Sequence, residues 1–256
     1  MHGSGLTQKV VQILKSNKSR GIKMTNNIKD LSPNKTARIA GFLYLILGIC
    51  TGASWGYIKS IYVPNDALAT VNNIQASEWL FRLSFVGNLV GQIAFLFLIY
   101  FLYKLLKPVN TDWARLMAIL VIVSIPIAIL NSLNLLAPIL LLNGGYLSAF
   151  GTTQFNALIM MFLDLYTYGV FIAGIFWGLW LFPLGYLVFK SGFIPKTIGV
   201  FLIIAGFGYI IDSLLGFLMP GYNMELSSYT FIGELMIIFW LLFKGVNVQQ
   251  SDVKNE

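Results

Sequence analysis

The chain has 256 residues, of which 57% are hydrophobic and 11% are charged, and its mean hydropathy is +0.76. Soluble domains carry about 25% charged residues, so this much apolar surface cannot be hidden in one water-soluble core. The composition excludes a soluble enzyme, a nucleic-acid-binding domain and a disordered tail. The net charge of +7 does not indicate a nucleic-acid partner, because eight of the 17 basic residues precede the first long apolar run.

Six apolar runs approach the length of about 20 residues that a helix needs to cross a bilayer. They cover residues 39–58, 83–103, 115–141, 156–189, 197–219 and 229–243, and glycine or proline residues separate most of them. The last run is short, and we expect its helix to include Ser227 and Ser228 at the start. The sequence therefore predicts an all-α, polytopic transmembrane helix bundle with six spans, formed by a single domain at residues 35–245.

The fourth run has 34 residues, which would make a helix of about 51 Å, longer than a bilayer core of about 30 Å. One interpretation is a short interfacial helix capped by residues 152–154, with a break near Asp164 before a span at residues 166–189. The other is a single tilted helix that protrudes from the membrane. Pro126 and Pro183 are expected to kink the third and fourth helices.

The distribution of basic residues predicts the orientation of the chain. With the N-terminus inside, 15 of the 17 basic residues face the cytoplasm, which leaves Lys59 and Arg82 outside. Both termini are therefore predicted to be cytoplasmic. Residues 1–34 form a basic N-terminal segment, of which residues 1–23 are expected to be dispensable, and residues 246–256 form a polar tail.

Polar side chains within the spans gather in their outer halves. A charge at the centre of a span costs about 2.5–3.5 kcal/mol or more, so we expect these groups to face one another and not the lipid. They predict either a polar, outward-facing pocket or a structural clamp in which Arg82 pairs with the acids. The candidate residues are Arg82, Asn88, Gln92, Asn131, Asn134, Asp164, Asp212 and Glu234.

Small residues recur near these positions. Gly208, Asp212 and Gly216 are four residues apart, a spacing that lets another helix approach closely. The first and fifth spans also share a short sequence, Ala-Gly-Phe-Leu-Tyr at residues 40–44 and Ala-Gly-Phe-Gly-Tyr at residues 205–209. The match is short and the surrounding spacings differ, so we interpret it as coincidence and not as an internal repeat.

Several segments resemble one bacterial membrane-protein family. Residues 36–44 and 178–195 are similar to its motifs, as are Phe81-Arg82, Ala205-Gly206, Asp212 and the Gly233-Glu234 pair. The family is catalogued as domain of unknown function 4386, and the resemblance covers about residues 35–245. It implies a polytopic protein in the plasma membrane of a bacterium, with no assigned activity, and it supplies no catalytic residues.

Three functions are compatible with these features. The first is a pocket that binds or moves a small solute or ion, and the second is an accessory subunit that docks another membrane protein. The third, which we favour least, is an intramembrane enzyme using Asp164 and Asp212 as an acid–base pair. One histidine, His2, and one cysteine, Cys50, are too few for zinc, haem or iron–sulfur sites, so we expect no metal, no cofactor and no catalytic motif.

Overall fold

The computed structural model describes residues 31–219, 221 and 225–246. The predictions for the N-terminal segment up to residue 30 and for the tail after residue 246 lie outside these residues. The described chain is helical throughout, with helices α1 (Pro33–Ile61), α2 (Ala67–Ala76), α3 (Glu78–Leu106), α4 (Thr111–Asn131), α5 (Leu133–Asn143), α6 (Thr152–Ser191), α7 (Lys196–Leu218), α8 (Ser227–Thr230) and α9 (Ile232–Phe239). A π-helical turn, Trp240–Lys244, follows α9.

Six stretches of the described chain are long and apolar enough to cross a membrane, namely α1, α3, Thr111–Asn143, α6, α7 and Ser227–Lys244. The prediction of an all-α, six-span polytopic bundle is confirmed, and the chain is a multi-pass membrane protein. The third span combines α4 and α5, which meet at Ser132. The sixth span combines α8, α9 and the π-helical turn, and it begins at Ser227 as expected.

The fourth span is one continuous helix of 40 residues, about 60 Å long. It has no break near Asp164, which favours the interpretation as a single helix over the one with a separate interfacial helix. Its first turns are covered by α2, which the sequence analysis missed because residues 67–76 contain no long apolar run. Helix α4 likewise continues through Pro126, and the interruption lies at Ser132.

Two apolar clusters hold the bundle together at its opposite ends. The terminal cluster lies near Pro33 and Lys244 and includes Ala37, Ala40, Leu98, Leu102, Met117, Val121, Leu184, Leu187, Ile198, Leu202, Ile237 and Leu241. The distal cluster includes Ile58, Ile61, Val71, Ile74, Phe81, Leu135, Ile139, Phe155, Ile159 and Leu163. Side chains of both clusters are almost completely removed from solvent and lipid.

A polar layer occupies the bundle beside the terminal cluster. It consists of Ser54, Asn88, Gln92, Asn131, Asp212, Ser213 and Glu234. On the first three spans these residues lie between members of the two clusters, and on the last two they lie on the distal side of the terminal cluster. The layer therefore places hydrogen-bonding groups inside the protein, where they do not contact lipid.

Glycine pairs bring α6 and α7 into close contact. A Cβ atom at Gly206 would lie 2.8 Å from the carbonyl oxygen of Gly178, and one at Gly199 would lie 2.6 Å from that of Gly185. The neighbours are backbone atoms, which cannot move aside without shifting a helix. Close approach of two backbones is the usual basis of helix association in membranes.

This contact predicts a difference between two glycine-to-alanine substitutions. Gly199→Ala should lower the free energy of unfolding by about 1–3 kcal/mol, because the new methyl group overpacks the interface. Gly56→Ala is the matched control: nothing lies within 4 Å of its Cβ position, and alanine should raise helix stability by up to about 1 kcal/mol. Unfolding by SDS titration, followed by circular dichroism, measures both values. Equal values for the two variants would contradict the close contact.

Candidate functional site

A cavity of about 530 Å³ lies in the polar layer, between α1, α3, α6, α7 and the sixth span. The third span does not line it. Four of the eight candidate residues do, namely Asn88, Gln92, Asp212 and Glu234. The rest of the wall is rich in aromatic rings, contributed by Tyr44, Trp55, Phe95, Tyr166, Phe171, Trp177, Trp180, Tyr209 and Phe231.

Glu234 lies at the centre of a three-residue hydrogen-bonded group. Its carboxylate accepts a hydrogen bond from the Tyr44 hydroxyl at 2.5 Å and another from the Tyr209 hydroxyl at 2.9 Å. Both tyrosines end the Ala-Gly-Phe-x-Tyr sequence that α1 and α7 share. We interpreted the shared sequence as coincidence, but its two copies have corresponding positions in the structure: the last tyrosine of each copy donates a hydrogen bond to the same acid.

Asp212 has a different role, at the start of the sixth span. Its two carboxylate oxygens accept the backbone N–H groups of Leu226 at 2.8 Å and Ser227 at 2.7 Å. The first N–H groups of a helix have no partner within the helix, and a carboxylate also interacts favourably with the helix dipole there. Asp212 on α7 therefore caps α8 in place of a local side chain.

Gln92 lines the cavity and carries a buried acceptor without a described partner. The residue is 2% exposed, and its Oε1 atom has no hydrogen-bond partner among the residues that the structure describes. The indole Nε1 of Trp177, also in the cavity wall, has no acceptor within the same part of the chain. Buried polar atoms without partners are rare in proteins, and in a cavity they indicate water or a ligand.

Asn88 completes the polar side of the cavity on α3. Its amide nitrogen donates to the Ser84 carbonyl oxygen at 3.1 Å and to the Tyr166 hydroxyl at 3.2 Å. The Tyr166 ring packs near Trp55, with centroids 6.2 Å apart. These contacts hold the first, second and fourth spans together at this part of the cavity wall.

Asn131 and Asn134 lie outside the cavity and join the third span to the fourth. The Asn131 amide donates to the Tyr166 carbonyl oxygen at 2.8 Å, and the Asn134 amide donates to Asn131 Oδ1 at 3.0 Å. Gly169 leaves room for this contact, since a Cβ atom there would collide with the Asn131 side chain. Both amides make their contacts within the protein, and this geometry gives them a structural role.

The expected clamp between Arg82 and the buried acids is wrong. Arg82 pairs with Glu78 one turn earlier on α3, at 2.6 Å, because a surface acid four residues away is nearer than any acid in the bundle. Asp164 is also remote from the cavity and accepts a hydrogen bond from Tyr62 at 2.6 Å. Burial, and then this hydrogen bond, raises the pKa of the Tyr62 phenol to about 12, so the phenol stays a donor.

One ion pair lies at the distal rim of the cavity. Lys59, at the end of α1, contacts Glu225 at 2.8 Å, just before the sixth span. The ammonium group also lies 6.0 Å from the ring centroid of Trp55, a cavity residue. At this rim one cation therefore contacts an acid and an aromatic ring of the cavity wall together.

The cavity is open along α1, where two exposed glycines line it. Gly48 and Gly52 line the cavity, and nothing lies within 4 Å of a Cβ atom built at either position. Neither glycine, nor Tyr44, Tyr209 or Trp177, was among the candidate residues. The shared sequence at residues 40–44 and 205–209 was the signal that pointed to the tyrosines.

The two buried acids should respond differently to neutral substitution. Asp212→Asn places an amide donor against a backbone N–H, and leaving such a group unsatisfied costs about 1–3 kcal/mol of folding free energy. Glu234→Gln should cost less than about 1 kcal/mol, because a tyrosine hydroxyl can rotate and accept from the new amide. Thermal unfolding midpoints of the purified proteins in detergent compare them. A loss from Glu234→Gln as large as that from Asp212→Asn would contradict these roles.

Comparisons with known proteins identify a family but assign no activity to it. A family model described as Domain of unknown function (DUF4386) matches residues 39–245. A relative from Archaeoglobus fulgidus, named "Uncharacterized protein", is 54% identical over 71 residues, which are 28% of this chain and 43% of that protein. The match thus spans less than half of the relative's length, and because that organism is an archaeon, the bacterial origin stays a prediction. No solved structure matches the chain.

Proposed function

The chain belongs to the DUF4386 family, and we propose that it binds or moves a small solute in the cavity of its polar layer. The observation that carries the proposal is the buried Gln92 acceptor, which lines a cavity of about 530 Å³ and has no partner among the described residues. Sites for small molecules have volumes of about 300–1,000 Å³, apolar walls and a few convergent polar groups.

The distal side is the side of entry in this proposal. The terminal cluster fills the bundle beyond Tyr44 and Trp180, whereas the distal rim carries the Lys59–Glu225 ion pair, whose side chains are 49% and 29% exposed. Exposed ion pairs contribute about 0–1 kcal/mol, so this contact can open readily. With the predicted orientation, the distal side is extracytoplasmic.

The other two functions have less support. The accessory-subunit hypothesis combined glycine stripes that dock another membrane protein with a clamp between Arg82 and the buried acids, and Arg82 pairs with Glu78 instead. The enzyme hypothesis paired Asp164 with Asp212, yet each has a separate structural partner, Tyr62 for the first and the start of the sixth span for the second. Gln92 and Glu234 take part in none of these contacts, and both line the cavity.

Cysteine labelling tests access to the cavity. In a Cys50→Ala background, Asn88→Cys should react with a membrane-impermeant methanethiosulfonate added to intact cells. Val90→Cys is the control, because Val90 is 41% exposed on the same helix and does not line the cavity. Thiolate forms only where water reaches the sulfur, so the rates should differ by on the order of tenfold or more. Equal rates would refute an accessible cavity.

Filling the cavity should slow that reaction. Gly52→Leu adds a side chain where nothing lies within 4 Å of the Cβ position, and it should protect Asn88→Cys from the reagent without unfolding the protein. Gly56→Leu has the same open surroundings but lies outside the cavity wall, and it should leave the labelling rate unchanged. Equal protection by both substitutions would show that the reagent does not pass through this cavity.

A further inference from the structure

The charged side chains that line the cavity wall are all acidic, and Lys59 at the rim pairs with one of them, Glu225. Apart from tyrosines, the ionisable side chains in its described wall are Asp212, Glu225 and Glu234. Asp212 accepts two backbone N–H groups, and Glu225 pairs with Lys59. Glu234 differs from both, because the partners that hold it, two tyrosine hydroxyls, are neutral. A ligand with a positive charge would give this buried carboxylate a counter-ion.

Aromatic rings surround the same acid. Tyr44, which donates to Glu234, packs against Trp180 with ring centroids 5.9 Å apart, and Phe95 lies 5.2 Å from Trp180 on the other side. The faces of such rings attract cations, with about 0.5–2 kcal/mol for each contact. The Lys59 ammonium above Trp55 shows that one ring of this wall already attracts a cation.

Two buried polar atoms without described partners, on Gln92 and Trp177, narrow the chemical class of the ligand. Gln92 Oε1 needs a donor, which a protonated amine with at least one N–H group supplies and a quaternary ammonium group does not. Trp177 Nε1 needs an acceptor, such as a hydroxyl or ether oxygen elsewhere on the ligand. A volume of about 530 Å³ accommodates an amine with a ring or a short chain.

We propose that the cavity binds a small organic amine in its protonated form, with Glu234 as the counter-ion, Gln92 as the acceptor of its N–H group and the aromatic wall around its body. This inference rests on the proposed function and names the chemical class of its solute. It excludes anions and metal ions as the solute, because the wall offers neither basic side chains nor a cluster of ligating groups among its described residues.

Three probes of one shape test the inference by isothermal titration calorimetry on the purified full-length protein at pH 7. They are protonated 2-naphthylmethyl-dimethylamine, its quaternary trimethyl form and the neutral 2-naphthylmethanol. We expect the dimethylamine to bind at least about tenfold more tightly than the alcohol, because a hydrogen bond to a charged group contributes about 1.5–3 kcal/mol. The quaternary form should bind less tightly than the dimethylamine, since it lacks the N–H group.

Two substitutions locate the interaction. Glu234→Gln should remove the preference for the dimethylamine over the alcohol, and Gln92→Leu should narrow the preference for the dimethylamine over its quaternary form. Glu78→Gln, which changes an acid that pairs with Arg82 outside the cavity wall, should leave both preferences intact. A preference for cations that persists in Glu234→Gln would overturn the role of this residue, and thermal unfolding without probe shows whether each variant is folded.

The outcomes separate this inference from the proposed function. Equal binding of all three probes, or no binding although Asn88→Cys is labelled, overturns the amine inference and leaves the solute cavity standing. No binding together with no labelling overturns both. Selective binding of the dimethylamine that depends on Glu234 and Gln92 supports both.

Discussion

A polar group inside a membrane-spanning bundle must find its hydrogen-bond partners in the protein, in water or in a ligand, because lipid offers none. This constraint organises the whole structure. Two apolar clusters fill the ends of the bundle, and the hydrogen-bonding side chains gather in a layer beside the terminal cluster. Wherever the protein satisfies these groups itself, as at Asp212 or Asn131, they fasten one span to another. At the cavity, Gln92 keeps an acceptor that no described residue satisfies, and Glu234 is held by two neutral hydroxyl groups.

The two buried acids illustrate how similar residues acquire different roles. Asp212 meets the first N–H groups of a short helix, so its carboxylate acts as a helix cap supplied by a neighbouring span. Glu234 meets two phenols, which supply hydrogen bonds but no charge. A substitution at Asp212 therefore reports on folding, whereas one at Glu234 tests the proposed solute site. This difference decides which residue a functional experiment should change.

Much of the fold follows from the sequence because a span is a local property, set by apolar length and by the turns that bound it. Such local features include the six spans, the start of the sixth span at Ser227 and the side of each helix on which the amides lie. The partners of each polar group are not local. Arg82 pairs with Glu78 on its own helix. Helix α2 packs on α6, although its sequence contains no long apolar run that would have predicted it. Glu234 was identified as costly, but its contacts with Tyr44 and Tyr209 join three spans that only the packing brings together.

The central claim is that the polar layer surrounds a space which takes up a solute or water. An experimental structure of the protein in a lipid bilayer tests this claim most directly. Density within about 3 Å of both Gln92 Oε1 and the Glu234 carboxylate, continuous with the distal rim, is the expected result. A closed layer, in which Gln92 bonds to another side chain and the walls from α1 and the sixth span touch, would contradict it.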